Sequence, residues 1–217
     1  MSAFDVAQLV LRERQSRDRG WYDDMADCFA DDAFVEMSWF SGTGADFVEA
    51  TRAMAGRGDL AVHRLSPPAV RLHGNRALLE LPLVIERRID VDGVEADIAS
   101  ACRSQYRARR GPDGRWRIVR VTSIYEKDTL SATIPGARLD VDPEILATYR
   151  PSYRFLAWDL NRKGYDVGND HLGDDRPDAV QRQYADEFAW LHEESPQPRG
   201  ATETAAGRDR DRRERIA

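Results

Sequence analysis

Asp18 and His63 are the two residues of this sequence whose types suit them best to proton transfer. A carboxylate bonded to one nitrogen of an imidazole fixes its tautomer and stabilises its charged form. The other nitrogen is then free to take a proton near neutral pH. Asp18 lies seven residues after Leu11 in the opening segment "AFDVAQLVLRERQSRDRGWYDDM". Two helical turns of about 3.6 residues bring Phe4, Leu11 and Asp18 close to register, so a carboxylate stands where an apolar stripe should continue. His63 follows Val62 in "AVHRLSPP", and Trp39, Phe40 and Tyr125 are available at strand ends to wall a pocket. On spacing alone two readings stay open. Either Asp18 is aimed inward at a histidine, or it is solvated at a helix end while His63 is an ordinary core residue.

Other chemistry finds less support. The four histidines, His63, His73, His171 and His192, form no His-x-His or His-x3-His pair, and no Cys-x2-Cys occurs, so no metal site is expected. "SGTGADF" has a Gly-x-Gly but lacks the third glycine of a dinucleotide fingerprint and the spacing of a nucleophile elbow. No cofactor is expected.

The elements that must position these residues follow from periodicity. Residues 3–17 read as a helix closed by Gly20, and "WYDDMADCFA" as a second, short one. "AFVEMSWF" reads as a strand, and "ADFVEATRAMAG" as a third helix. The period then changes to two. "AVHRLSPPAVRLHG" is a strand broken by Pro67 and Pro68, as at a sheet edge. Ala77, Leu79, Leu81, Leu83 and Ile85 alternate in the next strand, Asp92-Gly93 marks a hairpin, and Pro112-Asp113-Gly114 a second turn. The class is α+β, with helices packed on one face of a curved, mostly antiparallel sheet. Residues 139–193 add helices, one in "PSYRFLAWDLNRKG" and one starting after Asp175 as N-cap, which need a partner surface on the core. Residues 194–217 have almost nothing to bury and read as disordered.

Bulk properties bound the function. The chain has 217 residues, 41% of them hydrophobic and 9% aromatic, which suits one core-bearing domain over residues 1–138 with an extension. With 38 acidic against 32 basic side chains, the net charge of −6 argues against a nucleic-acid surface. No membrane span and no signal peptide are read, Cys28 and Cys102 suit a reducing compartment, and a cytoplasmic setting is expected.

The stretch "DRGWYDDMADCF", the segment "HRLSPP" and the closing "DGRWRIVRVTSIYEKD" together resemble the SnoaL-like branch of the nuclear transport factor 2-like superfamily over roughly residues 4–130. The resemblance implies a cone-shaped α+β barrel with an Asp–His dyad at Asp18 and His63, and Tyr125 facing the pocket. Its catalytic members include scytalone dehydratase and bile acid dehydratase. Where that pattern has a tyrosine before the acid, this chain has Glu13 and Arg14. Where scytalone dehydratase has a second histidine, it offers Ser100, Cys102 or Arg103. The expected activity is a cofactor-independent lyase acting on a hydrophobic aromatic or polycyclic molecule, by dehydration or retro-aldol loss of a small aldehyde. His63 abstracts the proton, Asp18 orients it, and Tyr125 or Arg103 stabilises oxygen charge. Trp39, Phe40, Ser100 and Arg103 are the expected substrate contacts. The alternatives are an isomerase or polyketide-cyclase-type enzyme, a ligand-binding module without chemistry, and a structural interaction protein. The resemblance also implies a homodimer or homotrimer.

Overall fold

The structure, a computed structural model, describes residues 2–193. The tail expected from Glu194 onward lies outside them. Helix α1 (Ala3–Arg19) starts where the Ser2 amide donates to the Asp5 carboxylate at 2.9 Å. It ends at Gly20, whose φ of 72° lets the Trp21 amide fold back onto the Ser16 carbonyl at 2.8 Å. Helix α2 (Tyr22–Ala26) follows, then strands β1 (Phe29–Met37) and β2 (Phe40–Thr43), and helix α3 (Gly44–Gly56). Thr43 caps α3 by accepting from the Asp46 amide at 3.1 Å.

The remaining strands are β3 (Val62–Leu65), β4 (Ala69–His73), β5 (Arg76–Val91), β6 (Val94–Arg110) and β7 (Trp116–Ala132). They form one sheet in the order β2-β1-β7-β6-β5-β3, with β4 also on β5. Only the β1–β7 pairing is parallel. Pro67 and Pro68 split what would be one strand into β3 and β4, both on the free edge of β5, where missing amide donors cost least. Asp92 and Gly93, at φ 50° and 87°, make the β5–β6 turn with the two positive φ values of a tight hairpin.

The inward face of β5 carries Ala77, Leu79, Leu81 and Leu83, all buried, against Val6 and Val10 of α1 and Phe47 of α3. Helix α1 does not bury the stripe that the sequence suggested. Phe4 is 67% exposed, and the buried positions run Val6, Leu9, Val10, Glu13 and Arg14. The apolar part of that face ends after Val10, where a charged pair takes over the same helical phase.

Beyond the sheet come α4 (Pro143–Ala147), α5 (Arg154–Arg162) and α6 (Pro177–His192). Helix α5 lies across the inner face, with Leu156, Ala157 and Leu160 in the main core. Its Trp158 belongs to a second cluster with Ile89 and Ile98 at the far end of the β5–β6 hairpin. Helix α6 belongs to the extension, for which the sequence assigned no face of the sheet. It covers the outer side, where Arg107 donates to Glu187 at 2.8 Å and Tyr184 to Glu80 at 2.5 Å. The cause is the pleat: Leu78 points away from the core yet is only 5% exposed, so the outer side also has apolar surface to cover. Asp175 is not the cap of α6, because its carboxylate is taken by Arg150 and Ser152. Among the described residues, no helix is long and apolar enough to cross a membrane.

Candidate active site

The last turn of α1 delivers Asp18 to the edge strand β3. Its Oδ1 lies 2.6 Å from His63 Nδ1, and its Oδ2 accepts the His63 backbone amide at 2.9 Å. One carboxylate thus grips a single residue twice. An edge strand has outward amides that no neighbouring strand pairs, and Asp18 satisfies one of them. The ring is fixed by the same act. With Asp18 ionised, Nδ1 carries the proton and Nε2 presents its lone pair.

His63, opposite Ile85 of β5, faces a cavity of about 40 Å³ between α1, the sheet and α5. That volume holds a few water molecules, so a ring-bearing ligand requires the side chains that close the cavity to move aside. Met37, Met54, Leu83 and Ile85 form apolar wall, and Leu156 and Leu160 of α5 close it from above. Beside His63, the polar lining is Arg14, Arg17, Arg87, Ser38, Tyr125 and the pair Ser104 and Ser123, whose hydroxyls are 3.2 Å apart.

Burial sets the electrostatics. It depresses the His63 pKa to about 4, opposed by the Asp18 hydrogen bond and reinforced by the Arg17 and Arg14 charges. For Asp18, burial pushes upward, but the hydrogen bonds from His63 and the nearby Arg17 charge prevail and hold it below the usual carboxylate range. The free site therefore holds an ionised Asp18 and a neutral imidazole at pH 7. Tyr125 is 1% exposed, and burial pushes its phenol up to about 12. Its oxygen accepts the Ser38 amide at 2.9 Å. The hydroxyl also lines the cavity.

The structure brings together Asp18, His63, Trp39 and Tyr125 of the residues singled out in the sequence. It does not bring in the others. Arg103 lies on the outer face of β6, bound to Asp174 at 2.8 Å, Tyr184 at 2.8 Å and Glu126 at 3.0 Å, because alternation sends Cys102 and Ser104 inward instead. Ser100 does face inward, but one step beyond the cavity, opposite Asp128. Phe40 stands behind Trp39, with ring centres 5.7 Å apart, and packs on Phe47 at 5.3 Å.

The sequence reading gave no role to Glu13 and Arg14, noted only as standing in place of a tyrosine, and did not single out Arg17. Glu13 and Arg14 form a two-toothed pair at 2.5 and 2.6 Å, 0% and 2% exposed, with Tyr106 beside it. Arg17 follows one turn on, its guanidinium 5.5 Å from the Trp39 ring and 5.2 Å from Phe47. The available signal was helical phase: from Val6 and Val10, steps of three and four lead to Glu13, Arg14 and Arg17, and on to Asp18.

With this geometry in hand, comparison with known proteins is informative. The SnoaL-like domain family matches residues 4–122. Pea pathogenicity protein 2 of Fusarium vanettenii is 31% identical over 197 residues, spanning 86% of this chain and 84% of that protein. A PEP2-like protein of the same fungus is 30% identical over 70% of this chain and 69% of its own length. Among solved structures, an NTF2-like protein with a cystatin-like fold from Novosphingobium aromaticivorans is 23% identical, with a TM-score of 0.43 over 55% of this chain and 78% of that one. On the family match over more than half of its length, this chain belongs to the SnoaL-like domain family.

Proposed function

We propose that the protein is a cofactor-independent lyase acting on a hydrophobic, aromatic or polycyclic small molecule. The observation that carries this reading is the 2.6 Å Asp18–His63 contact beside a largely apolar cavity, with Nε2 free to accept a proton. In a dehydration, Nε2 takes the proton from a carbon next to a carbonyl. The electron pair forms the new C=C bond as the adjacent C–O bond breaks. The departing hydroxide leaves as water with the proton that His63 gained, so one residue serves as base and then as acid. In the retro-aldol variant the proton comes from a hydroxyl, a C–C bond breaks to release an aldehyde, and the enolate left behind takes the proton back from His63. Asp18 stabilises the imidazolium in both, and the Tyr125 hydroxyl is placed to donate to the oxygen that gains charge. Proton-transfer catalysis of this kind is worth about 10²–10⁴-fold.

The test is a screen of aromatic hydroxy-ketones and aryl-ether alcohols against the wild type, His63→Ala and Asp18→Asn. Turnover should fall by about 10²-fold or more in both variants. Turnover that survives His63→Ala unchanged would exclude this assignment, and binding without turnover by the wild type would favour a ligand-binding module.

A further inference from the structure

Among the described residues, Arg17 is the one guanidinium on the cavity wall with no hydrogen bond or ion pair; its nearest opposite charge is the adjacent Asp18, whose two oxygens are taken by His63. The guanidinium of Arg14 is neutralised by Glu13 at 2.5 Å, and that of Arg87 by Asp159 at 2.9 Å. The contacts of Arg17 are the faces of Trp39 and Phe47. Aromatic faces attract a cation but occupy none of the five N–H donors of a guanidinium. Retaining an arginine in this way at an apolar wall, one residue from the dyad, costs stability unless something else uses those donors.

We propose that Arg17 is an anion-binding residue, and that the ligand of this site is an apolar molecule bearing one carboxylate or phenolate. This rests on the lyase reading for its catalytic meaning but not for its binding chemistry. A monoanion is favoured over a phosphate because a single guanidinium with free donors is available, Arg14 and Arg87 being already paired. A planar carboxylate also matches the two-donor edge of a guanidinium. Neither ring occupies those donors, and the Tyr125 hydroxyl lies on the same wall.

Such a ligand also acts on the base. The charged and titratable groups facing His63 are Asp18, Arg14 and Arg17 from α1, Arg87 from β5, Cys102 from β6 and Tyr125 from β7. With the site empty, Arg17 opposes a charge on the imidazole. An anion seated on Arg17 cancels that opposition and makes His63 a stronger base when substrate is present. Proton abstraction is then tied to occupancy of the anion subsite.

Calorimetric titration of the whole chain with benzoate and butyrate, against benzamide and butyramide, tests this directly. The acids should bind the wild type about tenfold or more tightly than their amides. Arg17→Met should weaken the acids about tenfold to a hundredfold and leave the amides unchanged, and Arg17→Lys should retain part of the preference. Proton NMR should show the His63 titration moving upward with benzoate in the wild type but not in Arg17→Met. Thermal unfolding of each variant reports whether it is folded. Amides that bind as well as acids, acids that bind Arg17→Met as well as the wild type, or no acid binding at all would overturn the proposal. If His63→Ala keeps both turnover and Arg17-dependent benzoate binding, the lyase reading fails and the anion subsite stands.

Discussion

Acid should weaken this protein through His63 before it protonates most carboxylates. The ring is 4% exposed, and burial brings its pKa from 6.5 to about 4. The sign follows from proton counts. Between these two values the unfolded chain binds a proton on this histidine that the folded chain refuses, so stability falls as pH falls. The contribution is fully present above pH 6.5 and is progressively lost down to about pH 4. Each pH unit within that window costs about 1.4 kcal/mol at most, so by pH 4.5 the loss is about 2–3 kcal/mol. Against a typical stability of about 5–15 kcal/mol, that is a large share.

His63→Asn removes the titrating group and keeps an amide that can donate to Asp18. Urea unfolding of both proteins from pH 7.5 to pH 4.5 reads the term, because every titrating group except its partner Asp18 keeps its surroundings in the two proteins. The separation between wild type and variant should shift by about 2–3 kcal/mol in favour of the variant on going to pH 4.5. Parallel curves would mean that His63 titrates normally in the folded protein, and that the cavity is more open to water than its lining implies.

Two further perturbations address the charges around the site. Glu13→Gln strands the buried Arg14 guanidinium and should destabilise by about 3–5 kcal/mol, whereas Glu13→Leu with Arg14→Met should come much closer to neutral in the same urea assay. Burial raises the Asp128 carboxyl to about 6, although it accepts the Leu156 amide at 2.9 Å, and its Oδ1 has no partner. Here the folded pKa exceeds the unfolded one, so stability declines as pH rises from about 4 to 6. Asp128→Asn should therefore raise stability by about 2 kcal/mol at pH 7.5, and thermal unfolding should show that gain vanishing near pH 4.

What was legible in the sequence depended on the range of the physics. Period-two alternation through Ala77–Leu83, the Asp92-Gly93 turn and the Pro67-Pro68 break are local signals, and the strands formed where those signals put them. Face assignment is not local. Nothing in the pattern of α6 says which side of the sheet it covers, because Val180 and Leu191 would serve on either. Arg103 fails for a related reason. One residue along a strand reverses the side chain, and only pairing with β5 and β7 fixes that it is Cys102 that points into the cavity.

Asp18 is the more instructive case, because it reaches His63 although the stripe that drew attention to it is not buried. A stripe read from apolar residues alone stops at Val10, and Phe4 and Leu11 then offer themselves as its continuation. The real inward face continues through Glu13, Arg14 and Arg17, residue types that ordinarily mark a solvated surface. Burying Glu13 and Arg14 and half-burying Arg17 on one helical face is unfavourable for folding alone, and the Glu13–Arg14 pairing only limits that cost. The arrangement makes sense when the end of α1 is treated as a place where charge must be held out of water. Glu13 holds Arg14, Asp18 holds His63, and Arg17 is left for a ligand. A break in a helix's apolar stripe is thus most informative when the charged residues that follow keep its phase.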